Sequence, residues 1–159
     1  MKRTFLVVFA LLVMACAGLM TSANAQKARP AITAVPVGQQ PLYSDYRGVR
    51  LGMTPQEVRA KLGDPVLKDE ELDYFVFADN VTAQIAYDAA HKAKAISIDY
   101  PGGVGAPDYK AVVGNEMDTR PDGSMFKLIR YESLGFWVSY NRTAGPTVIV
   151  TITIQKILV

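Results

Sequence analysis

The chain has 159 residues, of which 50% are hydrophobic and 20% are charged, and its formal net charge is +2. This length and composition suit one ordinary globular domain with a core of its own. Lys2 and Arg3 account for the whole surplus, because the chain beyond residue 25 carries 15 basic and 15 acidic residues. Such a balance excludes a basic nucleic-acid-binding surface and a polybasic membrane patch.

The first 25 residues have the three parts of a secretory signal peptide. Lys2 and Arg3 precede the apolar residues 5–20, and the small residues Ala23 and Ala25 follow. We predict cleavage after Ala25, so that the mature protein begins at Gln26 and is exported to the periplasm or secreted. The apolar stretch is shorter than a typical transmembrane helix, so we predict no membrane span after processing.

Cys16 offers a second route of processing. Residues 13–16 loosely resemble the box at which bacterial lipoproteins are cleaved and acylated, although Met14 stands where small residues are usual. Acylation of Cys16 would leave a lipid anchor on the protein. Cleavage after Ala25 would instead remove the only cysteine, and the mature chain would depend on its core without a disulfide.

Residues 26–42 are predicted to form an extended tether. They contain Pro30, Pro36 and Pro41, and they show little hydrophobic periodicity. Proline-rich segments of this kind are extended and carry few core residues.

A short helix with both ends encoded in the sequence is predicted from Thr54 to Gly63. Thr54 is a suitable N-cap, and Glu57 lies three residues later, which completes a capping box. Pro55 occupies the first helical position, where a missing amide proton is harmless. Gly63 and the following Pro65 end the helix.

Two helix-sheet units are predicted from the order of elements. Residues 43–100 hold the capped helix and three strands, and residues 106–159 hold a shorter helical segment that ends at Gly114 and three more strands. A Gly-rich hinge at residues 101–105 separates the units. The predicted strands are 72–78, 82–88, 95–100, 125–131, 135–141 and 147–155.

The predicted fold class is α+β. Two tandem helix-plus-three/four-strand units form an antiparallel sheet with helices on one face, and residues 43–159 make one compact domain. The alternative is that a helix followed by strands recurs in this chain by chance.

Part of the first half resembles a known family. Residues 52–58 (GMTPQEV), 62–65 (LGDP), 74–75 (YF) and 85–88 (IAYD) carry the likeness. They resemble the small outer-membrane-assembly lipoprotein domain of the SmpA/OmlA type. The doubled layout is similar to that of the tandem β-lactamase inhibitor proteins.

The resemblance implies a non-enzymatic protein-binding module of the bacterial cell envelope, with a role in outer-membrane assembly or maintenance. It also implies an outer-membrane lipid anchor if Cys16 is acylated. Two alternatives stay open, namely an inhibitor of a secreted hydrolase and a carrier of a small apolar ligand. The chain departs from both groups, because the assembly lipoproteins usually hold one unit and the inhibitors carry disulfides.

No catalytic, metal-binding or cofactor-binding residue is predicted. His91, the only histidine, lies in a predicted turn without a recognisable nucleophile or orienting partner. The acidic residues Asp69, Glu70, Glu71 and Asp73 lack the spacing of a calcium-binding loop. We therefore predict that the protein is not an enzyme.

Aromatic residues of the strands are the predicted partner-binding positions. Phe75 and Phe77 share one phase of their strand, and Tyr131 and Trp137 lie in two later strands. If helices cover one side of the sheet, these four side chains gather on the open side and mark a protein interface. The alternative is that the N-terminal segment or the curl of the sheet covers that side.

Overall fold

The structure is a computed structural model that describes residues 32–36 and 38–157. The predicted signal peptide, with Cys16 and the cleavage position Ala25, lies outside the described residues. So does the first part of the predicted tether.

Nine strands, two α-helices and one 3-10 helix lie within this part of the chain. The helices are α1 (Pro55–Leu62), α2 (Tyr109–Val113) and η1 (Glu132–Leu134). The strands are β1 (Ile32–Ala34), β2 (Leu67–Lys68), β3 (Leu72–Val76), β4 (Thr82–Tyr87), β5 (Ala93–Pro101), β6 (Asp118–Thr119), β7 (Met125–Tyr131), β8 (Phe136–Arg142) and β9 (Ile149–Lys156). The six strands and the capped helix that the sequence predicts are confirmed in position, with shifts of a few residues at their ends.

All nine strands belong to one sheet. Its order is β1-β7-β8-β9-β5-β4-β3-β2, and β6 pairs with β7 beside β1. Neighbouring strands are antiparallel except β1, which runs parallel to β7 with Thr33 opposite Ile129. Residues 32–34 of the predicted tether therefore add a strand to the sheet.

The predicted fold class is wrong. The described residues form a single mixed sheet with two short helices, and they do not form two tandem helix-plus-strand units with an antiparallel sheet and helices on one face. The reason is long-range pairing: β5 and β9, assigned to separate units, pair from Ala95 to Pro101 in the middle of the sheet. With eight and five residues, α1 and α2 are also too short to build a helical layer.

The hydrophobic core lies on one face of the sheet. Its centre is a set of fully buried isoleucines from three adjacent strands, Ile85, Ile96, Ile98, Ile152 and Ile154. Segments outside the helices and strands cover much of this core, and Tyr46 and Val49 are buried there in a tight turn. The helices add the buried side chains Val58, Val112 and Val113.

The first helix begins as its sequence predicts. The Thr54 hydroxyl accepts a hydrogen bond from the Glu57 amide at 3.3 Å, and the Glu57 carboxylate accepts one from the Thr54 amide at 2.7 Å. The Thr54 amide and the Thr54 hydroxyl both donate to the Glu57 carboxylate, and these two bonds lower the pKa of Glu57. Because both partners lie within the helix start, the cap forms without help from the rest of the fold.

We expect the substitution Thr54→Ala to lower the free energy of unfolding by about 1 kcal/mol, since it removes the N-cap acceptor. Thr54→Ser keeps the hydroxyl and is the matched control. Urea unfolding followed by circular dichroism measures both. Equal stability of the alanine and serine variants would show that the cap contributes nothing.

No helix in residues 32–36 and 38–157 is long and apolar enough to cross a membrane.

Candidate functional site

The face of the sheet opposite the core is the broadest candidate site. Register places its side chains in rows that run across the strands, and the middle row is Tyr74, Gln84, Ser97, Thr153, Ser139 and Leu128. The rows on either side are Val76, Thr82, Asp99, Thr151, Asn141 and Phe126, and Leu72, Ala86, Ala95, Gln155, Trp137 and Arg130. Of these side chains only Ser139 is buried. We call these three rows the open face.

The centre of the open face is polar and nearly uncharged. The Ser97 and Thr153 hydroxyls lie 3.2 Å apart, and the Thr151 hydroxyl donates to Asp99 at 2.6 Å. These contacts join the two central strands, β5 and β9, and hold their side chains in fixed positions. Side chains that are already held by hydrogen bonds lose little conformational entropy when a partner covers them.

The two ends of the open face are apolar. At one end, Leu67 of β2 lies opposite Tyr74, and Leu67 and Val76 are 51% and 49% exposed. At the other end, Phe126, Leu128 and Trp137 are half-buried. Five strand spacings separate β3 from β7, so the ends lie about 24 Å apart.

Of the four aromatic residues predicted to bind a partner, only Trp137 lies on the open face. Phe75 and Tyr131 are in the core, with 2% and 1% exposure, and neither can touch a partner without unfolding. Phe77 is partly buried beside Phe75, and their rings stack with centroids 6.2 Å apart. The expectation that all four gather on one open side is therefore wrong for Phe75, Phe77 and Tyr131.

A buried ion pair lies on the same side of β3 as Phe75. Asp73 and Phe75 share a face, and the Asp73 side chain is fully buried. The Arg59 guanidinium donates to both carboxylate oxygens, at 2.9 and 2.7 Å, and the Tyr87 hydroxyl donates at 2.8 Å. A lone acidic residue normally marks the solvent side of a strand, but this one is fully paired and points inward.

Strand β7 misleads in the same way. Lys127 shares the inward phase of Ile129 and Tyr131 and is only 8% exposed. The outward phase carries Phe126 and Leu128, which sequence reasoning passed over together with Tyr74 and Val76. Alternation shows that the two members of each pair share a phase, but it does not show which phase faces the core.

The Arg59–Asp73–Tyr87 cluster is structural in character. The bond to Asp73 raises the pKa of Arg59, and burial, followed by the bond to Asp73, raises the pKa of Tyr87 well above its ordinary value. A permanently charged guanidinium and a protonated phenol fasten α1 to β3 and β4. Neither group is poised to exchange a proton near neutral pH.

The acidic loop and His91 lie beside this cluster. A cavity of about 510 Å³ is lined by Gln56, Arg59, Lys68, Asp69, Glu70 and His91, among others. The Asp69 carboxylate accepts hydrogen bonds from the Glu71 and Leu72 amides, so it shapes its own turn. Across the described ranges, no three histidine, cysteine or acidic side chains gather in a way that could hold a metal ion.

Buried tyrosines predict an alkaline limit to stability. Burial is the main cause that raises the pKa of Tyr46 to about 12, and burial also raises the pKa values of Tyr43, Tyr87 and Tyr100. Between about pH 10 and pH 12, the unfolded chain loses these protons while the folded chain keeps them. The free energy of unfolding therefore falls as the pH rises through this window.

We expect urea midpoints to fall steadily between pH 9.5 and pH 11, with no comparable fall between pH 7 and pH 9 (the values follow from an ordinary tyrosine pKa of about 10). Absorbance of tyrosinate near 295 nm should lag in the native protein behind the urea-unfolded chain. Superimposable titration curves for the two states would contradict the assignment of buried tyrosines.

Comparisons with known proteins leave the family of this chain open. No known family and no curated protein matches it. Among solved structures, it is similar to the crystal structure of a DUF4309 family protein (YjgB) from Bacillus subtilis. The two share 14% identity over 65% of this chain and 78% of that one, with a TM-score of 0.37. That similarity is too low to carry an argument about function. The resemblance to the SmpA/OmlA-type domain stays a prediction.

Proposed function

We propose that this protein is a non-enzymatic binding module of the bacterial cell envelope, and that it presents the open face to a partner protein. Export rests on the signal-peptide pattern of residues 1–25. A role in outer-membrane assembly or maintenance rests on the sequence resemblance alone.

One observation carries the binding proposal: among the described residues, three side-chain rows cross six strands, and all but one of their side chains are accessible. A sheet face that contacts only solvent would carry polar side chains throughout. This face is polar at its centre and apolar at both ends. Trp137 and Tyr74 lie near opposite ends, and aromatic residues of this type dominate the energetics of protein interfaces.

Its width suits a protein. About 24 Å between the apolar ends exceeds the 10–12 Å diameter of a helix, so a helix or a pair of strands fits between them. The rows carry two charged residues, Asp99, which is bonded to Thr151, and Arg130, which is paired with Glu132. We therefore expect association that depends weakly on salt, because electrostatic steering has few charges to act on.

Site-specific photo-crosslinking in intact cells tests the proposal. A photoreactive residue in place of Gln84, which is exposed at the middle of the open face, should crosslink to a discrete protein. The same residue in place of Gln56, exposed on α1, is the matched control. Crosslinks from Gln84 alone support the open face. Crosslinks to the same protein from Gln56 alone would place the interface elsewhere and overturn the proposal.

A further inference from the structure

A second concave site lies on the core side of the sheet, at the end where β8 begins and β9 finishes. It has a volume of about 460 Å³, which falls within the range of small-molecule sites. Leu51, Leu134, Phe136 and Ile154 provide apolar walls, and Arg50 and Lys156 also line it. We call it the lower cavity. It is separate from the open face, which uses the other side of the sheet.

Local backbone geometry opens the lower cavity. The 3-10 helix η1 is followed by its C-cap Gly135, whose positive φ of 73° turns the chain sharply into β8. Leu134 comes directly before this turn and is left 50% exposed. Its neighbour Phe136 is partly buried and stacks on Tyr131, with centroids 5.3 Å apart. Leu134 therefore extends the apolar wall of the lower cavity to its mouth.

The charged side chains that line the lower cavity are both cationic, and each has a carboxylate partner outside the lining. Arg50 and Lys156 are its only charged lining residues within the described chain, and no carboxylate lines it. Asp45 lies 3.8 Å from Arg50, whose side chain is 66% exposed, and Asp88 lies 3.0 Å from Lys156. A long, exposed ion pair contributes little stability, so Arg50 is free to turn towards a ligand. The lower cavity thus combines an apolar interior with a cationic rim.

We infer that the lower cavity binds a single-chain anionic amphiphile of the fatty-acid class. The acyl chain lies along Leu51, Leu134, Phe136 and Ile154, and the carboxylate faces Arg50, with Lys156 as the second cation. Guanidinium favours a carboxylate because its fork of donors matches two oxygens. The positive rim disfavours a cationic amphiphile, and a neutral alcohol of the same length gains only the apolar contacts.

Calorimetric titration of the purified processed chain tests this inference. Decanoate, decanol and decyltrimethylammonium are the probes, each used below the concentration at which it forms micelles. We expect decanoate to bind saturably at one site, and the cation to bind at least tenfold more weakly. Absence of saturable decanoate binding, or equal affinity for the cation, would overturn the inference.

Three variants locate the binding. Leu134→Asp places a negative charge at the cavity mouth and should weaken decanoate binding at least tenfold. Val104→Asp makes the same change at a side chain that is 76% exposed, at the opposite end of β5, and should leave affinity unchanged. Arg50→Gln should weaken decanoate about tenfold and decanol less than twofold. Equal losses in Leu134→Asp and Val104→Asp would contradict the assigned site.

The outcome is independent of the open face. Trp137→Ala should not change decanoate affinity, since Trp137 lies on the opposite side of the sheet. Failure of decanoate to bind would therefore leave the protein-binding proposal standing, and failure of the open face to crosslink would leave the lower cavity standing.

Discussion

Replacement of Asp73 by alanine is expected to lower the free energy of unfolding by about 3 kcal/mol. The substitution strands the Arg59 guanidinium, which loses both of its carboxylate bonds, and it leaves the Tyr87 hydroxyl without its acceptor. Removal of one partner from a buried ion pair typically costs about 3–5 kcal/mol. We expect the lower end of that range, because the Arg59 side chain is 21% exposed and can regain some water. Urea unfolding at pH 7 gives the measurement.

Asp99 provides the matched control for this effect. It lies in the same sheet and also accepts a side-chain hydrogen bond, from Thr151, but it is half-buried on the open face. Asp99→Ala should cost less than about 1 kcal/mol, because water can replace the lost bond. The double substitution Arg59→Met with Asp73→Leu should recover much of the loss. Similar costs for Asp73→Ala and Asp99→Ala would show that burial of the ion pair does not matter.

The second large effect concerns binding. Trp137→Ala is expected to weaken association with the crosslinked partner at least tenfold while leaving the unfolding midpoint nearly unchanged. Trp137 is half-buried at one end of the open face and contributes no side chain to the core. Truncation of a hot-spot tryptophan commonly costs about 2 kcal/mol or more of binding free energy. Titration of labelled protein with purified partner measures the dissociation constant.

Two controls accompany this substitution. Val104→Ala shortens an exposed apolar side chain in a loop away from the open face and should not alter affinity. Trp137 is also the only tryptophan of the chain, so its fluorescence reports on the open face directly. Partner binding should shift the emission to shorter wavelength as the indole loses water. An unchanged spectrum at saturation, with unchanged affinity in Trp137→Ala, would remove the open face from the interaction.

Local structure followed from local residues. The start of α1 was predictable because Thr54, Pro55 and Glu57 satisfy one another within a single turn. The hairpin at Asp88 was predictable for a similar reason, since its carboxylate accepts the Ala90 and Lys92 amides nearby. In both places the hydrogen-bond partners lie within four residues, so no distant segment can change the outcome.

The direction in which strand side chains point was not predictable. Alternation of side-chain types identified β3 and β7 as strands, but it did not show which of the two alternating sets of side chains faces the core. Asp73 points inward only because Arg59, fourteen residues away, meets it with two hydrogen bonds. The sequence analysis placed Phe75 and Phe77 on the open side from their shared phase, and the structure places them on the core side.

The pairing of strands within the sheet could not be predicted from local sequence either. Ile98 of β5 pairs with Ile152 of β9, and Thr33 of β1 pairs in parallel with Ile129 of β7. The backbone groups of a strand do not specify which strand will pair with it, because every strand offers the same donors and acceptors. A two-unit fold and a single continuous sheet therefore have the same strand pattern in sequence.

By itself, then, the sequence determined the helix start, the hairpin turns and the position of the strands, because these depend on contacts between residues close in the chain. Only the tertiary structure decided strand order, the parallel β1 and the inward phase of β3 and β7. Each of these depends on a contact between residues far apart, where a buried charge finds its partner or one strand edge meets another. The open face and the lower cavity both arise at that second level.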